Sequence, residues 1–440
     1  MIIKSRIPAV ILFSAIVSHG ICYAQSPVEA IKQDPGKVAA LYYVYDYKAE
    51  PALHPAPEGY EPFYISHLGR HGARYAENEY DTLSVWLNKA SRAGVLTELG
   101  KEFKALYDPF YEKVRPCKGN LTELGKDQHR TIAARMFRRF PEVFEGETRV
   151  EAVSTEFPRV IMSMWSFLST LQSLDRSISV SADASTKYVS WLLPVSPENP
   201  YAIPGRPRHN KESANALKQY FYSVVPCDEI IRKFLTSPEA LEDILKTTAF
   251  NFILKLHAII WSTRCLDEDR TVFDGFLTPE ENLAIWKGAT ARHFVMLANY
   301  EGSDNLAPDY SAFTLEQIIG SADSDIASGN TQLRLRFGHD SSIMPLLVYM
   351  DINGYGRCAS SFEEGMEIMP DYVVPMGGSA QFIFFRNRSG DVLVQVLLNE
   401  REARLPIKEV EGSYYRWTDV KDYYLPRIEA SKARILSILK

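Results

Sequence analysis

The chain has 440 residues, of which 46% are hydrophobic and 24% charged, and its formal net charge is -6. This composition excludes a disordered polymer and is enough for one large domain with insertions or for two ordinary domains. A mildly acidic protein has no overall attraction for nucleic acid or anionic lipid, so any anionic ligand has to be held by a local cluster of positive charge.

Residues 1–24 read as a cleaved export signal. Lys4 and Arg6 precede the apolar run Ile7 to Val17, and Cys22-Tyr23-Ala24 offers small residues at a cleavage site. The run is too short to span a bilayer and breaks at Ser18-His19-Gly20. A periplasmic or secreted protein is expected, with no transmembrane segment after signal removal and a charge of about -8 once Lys4 and Arg6 are gone. The mature chain keeps Cys117, Cys227, Cys265 and Cys358. Export permits two disulfides, in three connectivities that the sequence does not separate, and the lack of any CxxC pair speaks against zinc.

Phe63 to Leu68 is a short β-prone run ending at Gly69, and Asp81 to Leu96 reads as a helix. Leu121 to Phe140 gives a turn at Gly125 and then an amphipathic helix, with Ile132, Met136 and Phe140 on one face and Arg135, Arg138 and Arg139 largely away from it. Val150, Ala152 and Ser154 alternate as in a strand, which leads into a helix over Arg159 to Leu174. Prolines then crowd Leu192 to His209, and a helix-rich stretch follows. It includes Ser237 to Trp261, with Ser237 as N-cap and Pro238 at the first helical position. Thr331 to Asp340 alternates strictly, with Leu333, Leu335 and Phe337 on one side and Arg334 and Arg336 on the other. Ser341 to Met350 reads as a helix that tolerates Pro345 only in its first turn, and Ala380 to Asn399 as a hairpin turning at Ser389-Gly390. The expected architecture is α/β: a sheet domain from 25–174 and 326–440, interrupted by a smaller, mostly helical inserted cap over 175–325.

Ligands of open α/β sheets bind beyond the carboxyl ends of strands. Arg70-His71, Thr155 to Arg159 and His339-Asp340 each follow a predicted strand, so three segments bring chemistry to one edge. Each motif alone is ordinary: a basic turn, a helix-start arginine, a capping pair. Together they fit phosphoryl transfer. Arginine forks donate paired hydrogen bonds to non-bridging oxygens and remain charged at every relevant pH, so several of them neutralise a phosphoryl group without a metal. A neutral His71 attacks phosphorus in line and forms a phosphohistidine, its other ring nitrogen held by an acceptor such as a backbone carbonyl. Gly69 and Gly72 allow tight turns and close approach to the ligand. Asp340 protonates the departing oxygen, then as carboxylate activates water, while His339 donates to the phosphate. An optimum somewhat below neutrality is expected. His54, His129, His209, His257 and His293 have no such company and are assigned to packing or surface, and His67 to packing at a strand end as readily as to the site. Ser66 and Ser154 lack the glycine elbow of a serine nucleophile.

"RHGAR" (Arg70 to Arg74), followed far downstream by "GHD" (Gly338 to Asp340), resembles the histidine acid phosphatase branch, clade 2, of the histidine phosphatase superfamily. That branch includes phytases and multiple inositol polyphosphate phosphatases. "LTELGKDQHR" (Leu121 to Arg130), "STEFPR" (Ser154 to Arg159), "VPMGGSAQFIF" (Val374 to Phe384) and "VQVLLNEREARLPI" (Val394 to Ile407) are similar to further family segments. The resemblance implies His71 as nucleophile, Arg70, Arg74, Arg159 and His339 as phosphate ligands, Asp340 as proton donor, and no cofactor or metal. It also implies a phosphoglycerate-mutase-like sheet domain flanked by helices, and a small-molecule phosphoester substrate of the inositol polyphosphate kind. A broad-specificity acid or sugar phosphatase, a phosphotransferase and a silent phospholigand binder are the alternatives. Ala76 stands where the family has proline, which should loosen the loop, and His339-Asp340 where many inositol polyphosphate phosphatases have His-Ala-Glu. Glu77, Glu79 and Asp81 argue against strong phytate selectivity, whereas Arg206, Arg208 and Lys211 are either extra substrate charge or a solvated loop. The oligomeric state is left open.

Overall fold

A computed structural model describes residues 26–201, 211–303 and 306–439. The expected export signal, residues 1–24, and Arg206, Arg208 and His209 lie outside the described residues. Eight strands form one mixed sheet: β1 (Glu61–Arg70), β2 (Arg149–Ser154), β3 (Ser179–Ala184), β4 (Leu333–Gly338), β5 (Ser379–Arg386), β6 (Val392–Leu398), β7 (Arg401–Ala403) and β8 (Tyr414–Arg416). Their order is β3-β2-β4-β1-β5-β6-β7, with β8 also on β6. The first four in this order are mutually parallel, and β5 reverses direction against β1.

The central strands are covered on both faces, as parallel strands must be. On one face Ile65, Leu333, Leu335 and Phe337 pack with Ile132 and Met136 of the helix Glu123–Arg139 and Phe167 of the helix Pro158–Leu174. On the other, Tyr64 and Leu68 meet Ile343 and Leu347 of the helix Asp340–Tyr349. The arginines that alternate along β4 are therefore not a solvent face. Arg336 is fully buried and donates to Ser66 Oγ (2.9 Å), Gln317 Oε1 (2.5 Å) and Ser321 Oγ (2.6 Å). Arg334 forks onto Asp325 at 2.9 and 2.7 Å.

A second apolar core belongs to a helical layer, and that layer draws on both sides of the expected cap boundary. Helices Asn78–Arg92 and Glu98–Val114 pack with Cys227–Phe234 and Ala249–Ser262 around Phe103, Tyr107, Phe234 and Phe252. Conversely, β3 lies within 175–325 yet pairs along the whole of β2, and the helix Ala307–Ser328 packs on the sheet layer through Leu315, Ile318 and Ala322. Three local expectations also shift. Lys246 adopts left-handed backbone (φ 57°), and the helix beyond it begins at Thr248, whose Oγ1 accepts from Asn251 N–H at 3.3 Å, so Ser237 does not cap the apolar run. Pro345 falls in the second turn of its helix. Arg135 is buried rather than turned away, because it pairs with Glu400 and donates to Tyr47 O at 2.7 Å. Cys117, Cys227, Cys265 and Cys358 are free, and no helix among the described residues is long and apolar enough to cross a membrane.

Two histidines lie under the sheet's carboxyl edge. His67 packs between Phe167 and Phe337, and His129 against Phe337. Burial lowers both to about 3. The unfolded chain therefore takes up their protons first, and their contribution is complete above about pH 6.5 and lost as pH falls towards 3. Thermal denaturation should show a midpoint that is flat above about pH 7 and falls in acid, with a shallower fall in His129→Phe. An unchanged acid slope in that variant would assign the loss to other groups.

Candidate active site

Parallel pairing aligns the ends of three strands, with Arg70 opposite Gly338 and Ser154 opposite Phe337. The ladder runs one step further: His71 N–H donates to Gly338 O (3.0 Å), Gly377 N–H to His71 O (3.0 Å), and Thr155 N–H to Phe337 O (3.2 Å). Main-chain bonds thus place His71, Thr155 and His339 side by side before any side chain is considered. The His71 and His339 rings meet edge to face with centroids 5.5 Å apart, and Phe157 packs edge-on against His339 at 5.0 Å.

The loop after His71 is fastened rather than loose. Ala73 N–H donates to Gln128 Oε1 (2.8 Å), Gly72 N–H to Ser163 Oγ (3.1 Å), and Ala73 O accepts from Thr122 N–H (2.9 Å) and Oγ1 (3.0 Å). Ala76 is fully buried, its carbonyl accepting from Gly119 N–H at 3.0 Å, so the missing proline leaves no slack. The glycines serve protein contacts instead of ligand approach. A Cβ on Gly72 would lie 2.4 Å from Gly125 O, and one on Gly69 would lie 2.6 Å from His67 Nε2.

The three predicted arginines converge. Arg70 is buried at the end of β1, donating from its two terminal nitrogens to Val374 O (2.7 Å) and Leu41 O (2.8 Å), with Nε 3.8 Å from Asp340 Oδ1. Arg74 donates to Tyr75 O (2.9 Å) and sits over the Tyr42 ring at 5.2 Å. Arg159 lies over Phe157 at 4.9 Å and pairs with Glu77 Oε1 at 2.9 Å. In all three, Nε is buried without a protein acceptor. Three unanswered cationic donors around one histidine form a receptor for a tetrahedral oxyanion. Among the described residues, no group of three His, Cys, Asp or Glu side chains is placed to hold a metal.

These charges set the state of the titrating groups. Burial, then Arg70 and Arg159, drive His71 well below its ordinary value, so its ring is neutral. Its Nδ1–H donates to Gly72 O at 2.9 Å, which leaves the Nε2 lone pair free to attack. His339 is lowered to about 3, first by burial and then by Arg159, and its Nε2 lies 3.1 Å from Thr155 Oγ1. Burial raises the Asp340 carboxyl, but Arg70, His339, His293 and Arg74 together outweigh it and hold the group below its ordinary value.

The histidine phosphatase superfamily (branch 2) model matches residues 65–230, the segment that carries Arg70, His71, Arg74 and Arg159. That segment of the chain is similar to this superfamily. The fold is similar to that of several solved structures. Multiple inositol polyphosphate phosphatase of Bifidobacterium longum, in complex with inositol hexasulfate, superposes with a TM-score of 0.69 at 17% identity, over 88% of this chain and 97% of that one. The phytase of D. castellii gives 0.63 at 13% identity, over 89% and 85%. Hafnia alvei phytase in complex with myo-inositol hexakis sulphate gives 0.53 at 13%, over 84% and 98%. No curated protein sequence matches it.

The structure brings all six sequence-predicted site residues together, and adds others. Tyr42 and Leu41, from the segment Pro35–Tyr42, reach two of the arginines, yet that segment carries no charge pattern to announce it. Thr155 follows a strand end, which is a usable signal, but its partner is 184 residues away. His293, assigned to packing from the sequence, contributes to the field on Asp340 and is fixed through Nδ1 by the fully buried Asp371 at 3.0 Å. Lys211 starts the helix Lys211–Val224 and is exposed. Gly72→Ala should cost roughly 2 kcal/mol by forced backbone displacement and abolish most turnover. Gly320→Ala, on a helix with open space around it, should be neutral or mildly stabilising. Urea unfolding of the two variants checks both, and an equal effect would remove the backbone-contact argument.

Proposed function

We propose that the protein is an exported phosphomonoesterase that works without a metal through a phosphohistidine on His71, with inositol phosphates as its substrate class. The three buried arginine Nε–H groups around a neutral, pre-oriented His71 carry this reading. They supply the charge a metal would otherwise provide, and the structural neighbours crystallised with inositol hexasulfate favour the inositol class.

The ester's phosphoryl group binds with its non-bridging oxygens on Arg70, Arg74, Arg159 and His339. His71 Nε2 attacks phosphorus in line as the P–O bond to the alcohol breaks, and Asp340 delivers its proton to the departing oxygen. The resulting Asp340 carboxylate then takes a proton from water, whose oxygen attacks the phosphohistidine. Orthophosphate leaves, and His71 is neutral again. The lowered value of His71 resolves a conflict visible in the sequence: the nucleophile stays unprotonated in acid, where the protonated fraction of Asp340 grows.

The expected results follow in order. His71→Ala should lose roughly ten-thousand-fold or more in kcat. With p-nitrophenyl phosphate, whose leaving group needs no proton, Asp340→Asn should retain a burst of p-nitrophenol release and accumulate an acid-labile phosphoenzyme on rapid quench; a variant with full steady-state turnover of alkyl phosphates would reject the assigned donor. The kcat/KM of the wild type should rise from neutral into mildly acidic pH, because Asp340 must carry its proton. Activity that survives exhaustive chelation supports the metal-free route, and a mature N-terminus at Gln25 in the exported fraction supports the signal.

A further inference from the structure

One charged contact at the site has no part in that mechanism. Arg159, a proposed phosphate ligand, directs a terminal nitrogen to Glu77 Oε1 at 2.9 Å. The Glu77 side chain is 44% exposed while that of Arg159 is 13% exposed, so the pair bridges the rim and the buried cradle. Glu77 is held from two directions. Its own N–H donates to Glu79 Oε2 at 3.0 Å, and its side chain lies over Gly119, where an added Cβ would come within 3.3 Å of Glu77 Cγ. Glu79 in turn faces Lys255 Nζ at 3.6 Å. The rim therefore carries a positioned carboxylate that competes with phosphate oxygens for the same guanidinium.

We propose that Glu77 is a charge gate on Arg159, released when the scissile phosphoryl group binds, and that its carboxylate biases the enzyme towards esters of low charge density. The inference rests on the phosphomonoesterase reading above. A single phosphoryl dianion displaces Glu77 from Arg159 and leaves it at the rim. A densely phosphorylated ring must then seat its remaining phosphates beside that carboxylate and Glu79, where like charges repel. The substrates favoured within the inositol phosphate class are accordingly the sparsely phosphorylated members. This gives Glu77 an effect opposite to that of a mere prop for Arg159, whose loss would weaken phosphate binding.

The test replaces the charge and keeps the shape, with Glu77→Gln, and Glu77→Ala takes its place if the glutamine variant does not fold. Calorimetric titration with orthophosphate should show binding tighter than wild type by about tenfold, the scale of one charge-assisted hydrogen bond no longer contested. The ratio of kcat/KM for myo-inositol hexakisphosphate to that for p-nitrophenyl phosphate should rise by about the same factor. Unchanged or weaker orthophosphate binding overturns the gate, and an unmoved ratio overturns the bias. If wild type releases phosphate from neither ester, the functional reading fails by itself, and the orthophosphate titration still decides the gate.

Discussion

Gathering three guanidinium groups, one buried and two mostly so, within reach of one histidine is the constraint around which the rest of this molecule is arranged. Desolvated like charges are costly, and a fold tolerates them only when most of their donors are answered. Here the answers come from distant parts of the chain: Leu41 and Val374 carbonyls for Arg70, the Tyr42 ring for Arg74, and Glu77 for Arg159. Each arginine keeps its Nε unanswered. The unpaired donors are thus not a packing defect but the residue of a deliberate shortage, since a fully satisfied cluster would have nothing left to offer an anion.

The same field explains why acid chemistry and a neutral nucleophile coexist. Positive charge lowers a histidine and a carboxylic acid alike, because it opposes protonation of both. For His71 this is an advantage at every working pH. For Asp340 it is a handicap, which an anion in the cradle would relieve by offsetting the arginines and returning the carboxyl towards its protonated form. Under the proposed mechanism, substrate binding and donor activation are in this way one electrostatic event.

Much of this was readable in the sequence, because it depends on local pattern. β1, β2, β4 and the β5–β6 hairpin announce themselves by alternation and by glycine turns, and the six candidate side chains lie at or within a few residues of strand ends. What escaped has a common cause, which is dependence on partners far along the chain. Arg135 looks like a solvent-facing helix residue until Glu400 is brought to it. β3 is half-polar and short, and is counted with the expected helical cap until β2 offers it a ladder. Ala76 looks like a loosened turn until Gly119 and the segment beyond it close on the same loop. Gly72 suggests freedom towards a ligand, whereas its real neighbour is the backbone of Gly125.

The position of β4 carries a consequence for how the molecule comes into being. It lies between β2 and β1, yet its residues 333–338 are made long after both. Until they emerge, the growing chain holds two strands with a gap between them and a nucleophile with no floor. Sheet closure is therefore a late, long-range step, of the kind that slows folding and leaves edges exposed meanwhile. An unfinished chain cannot assemble the cradle, so the candidate site takes shape only after β4 has been made.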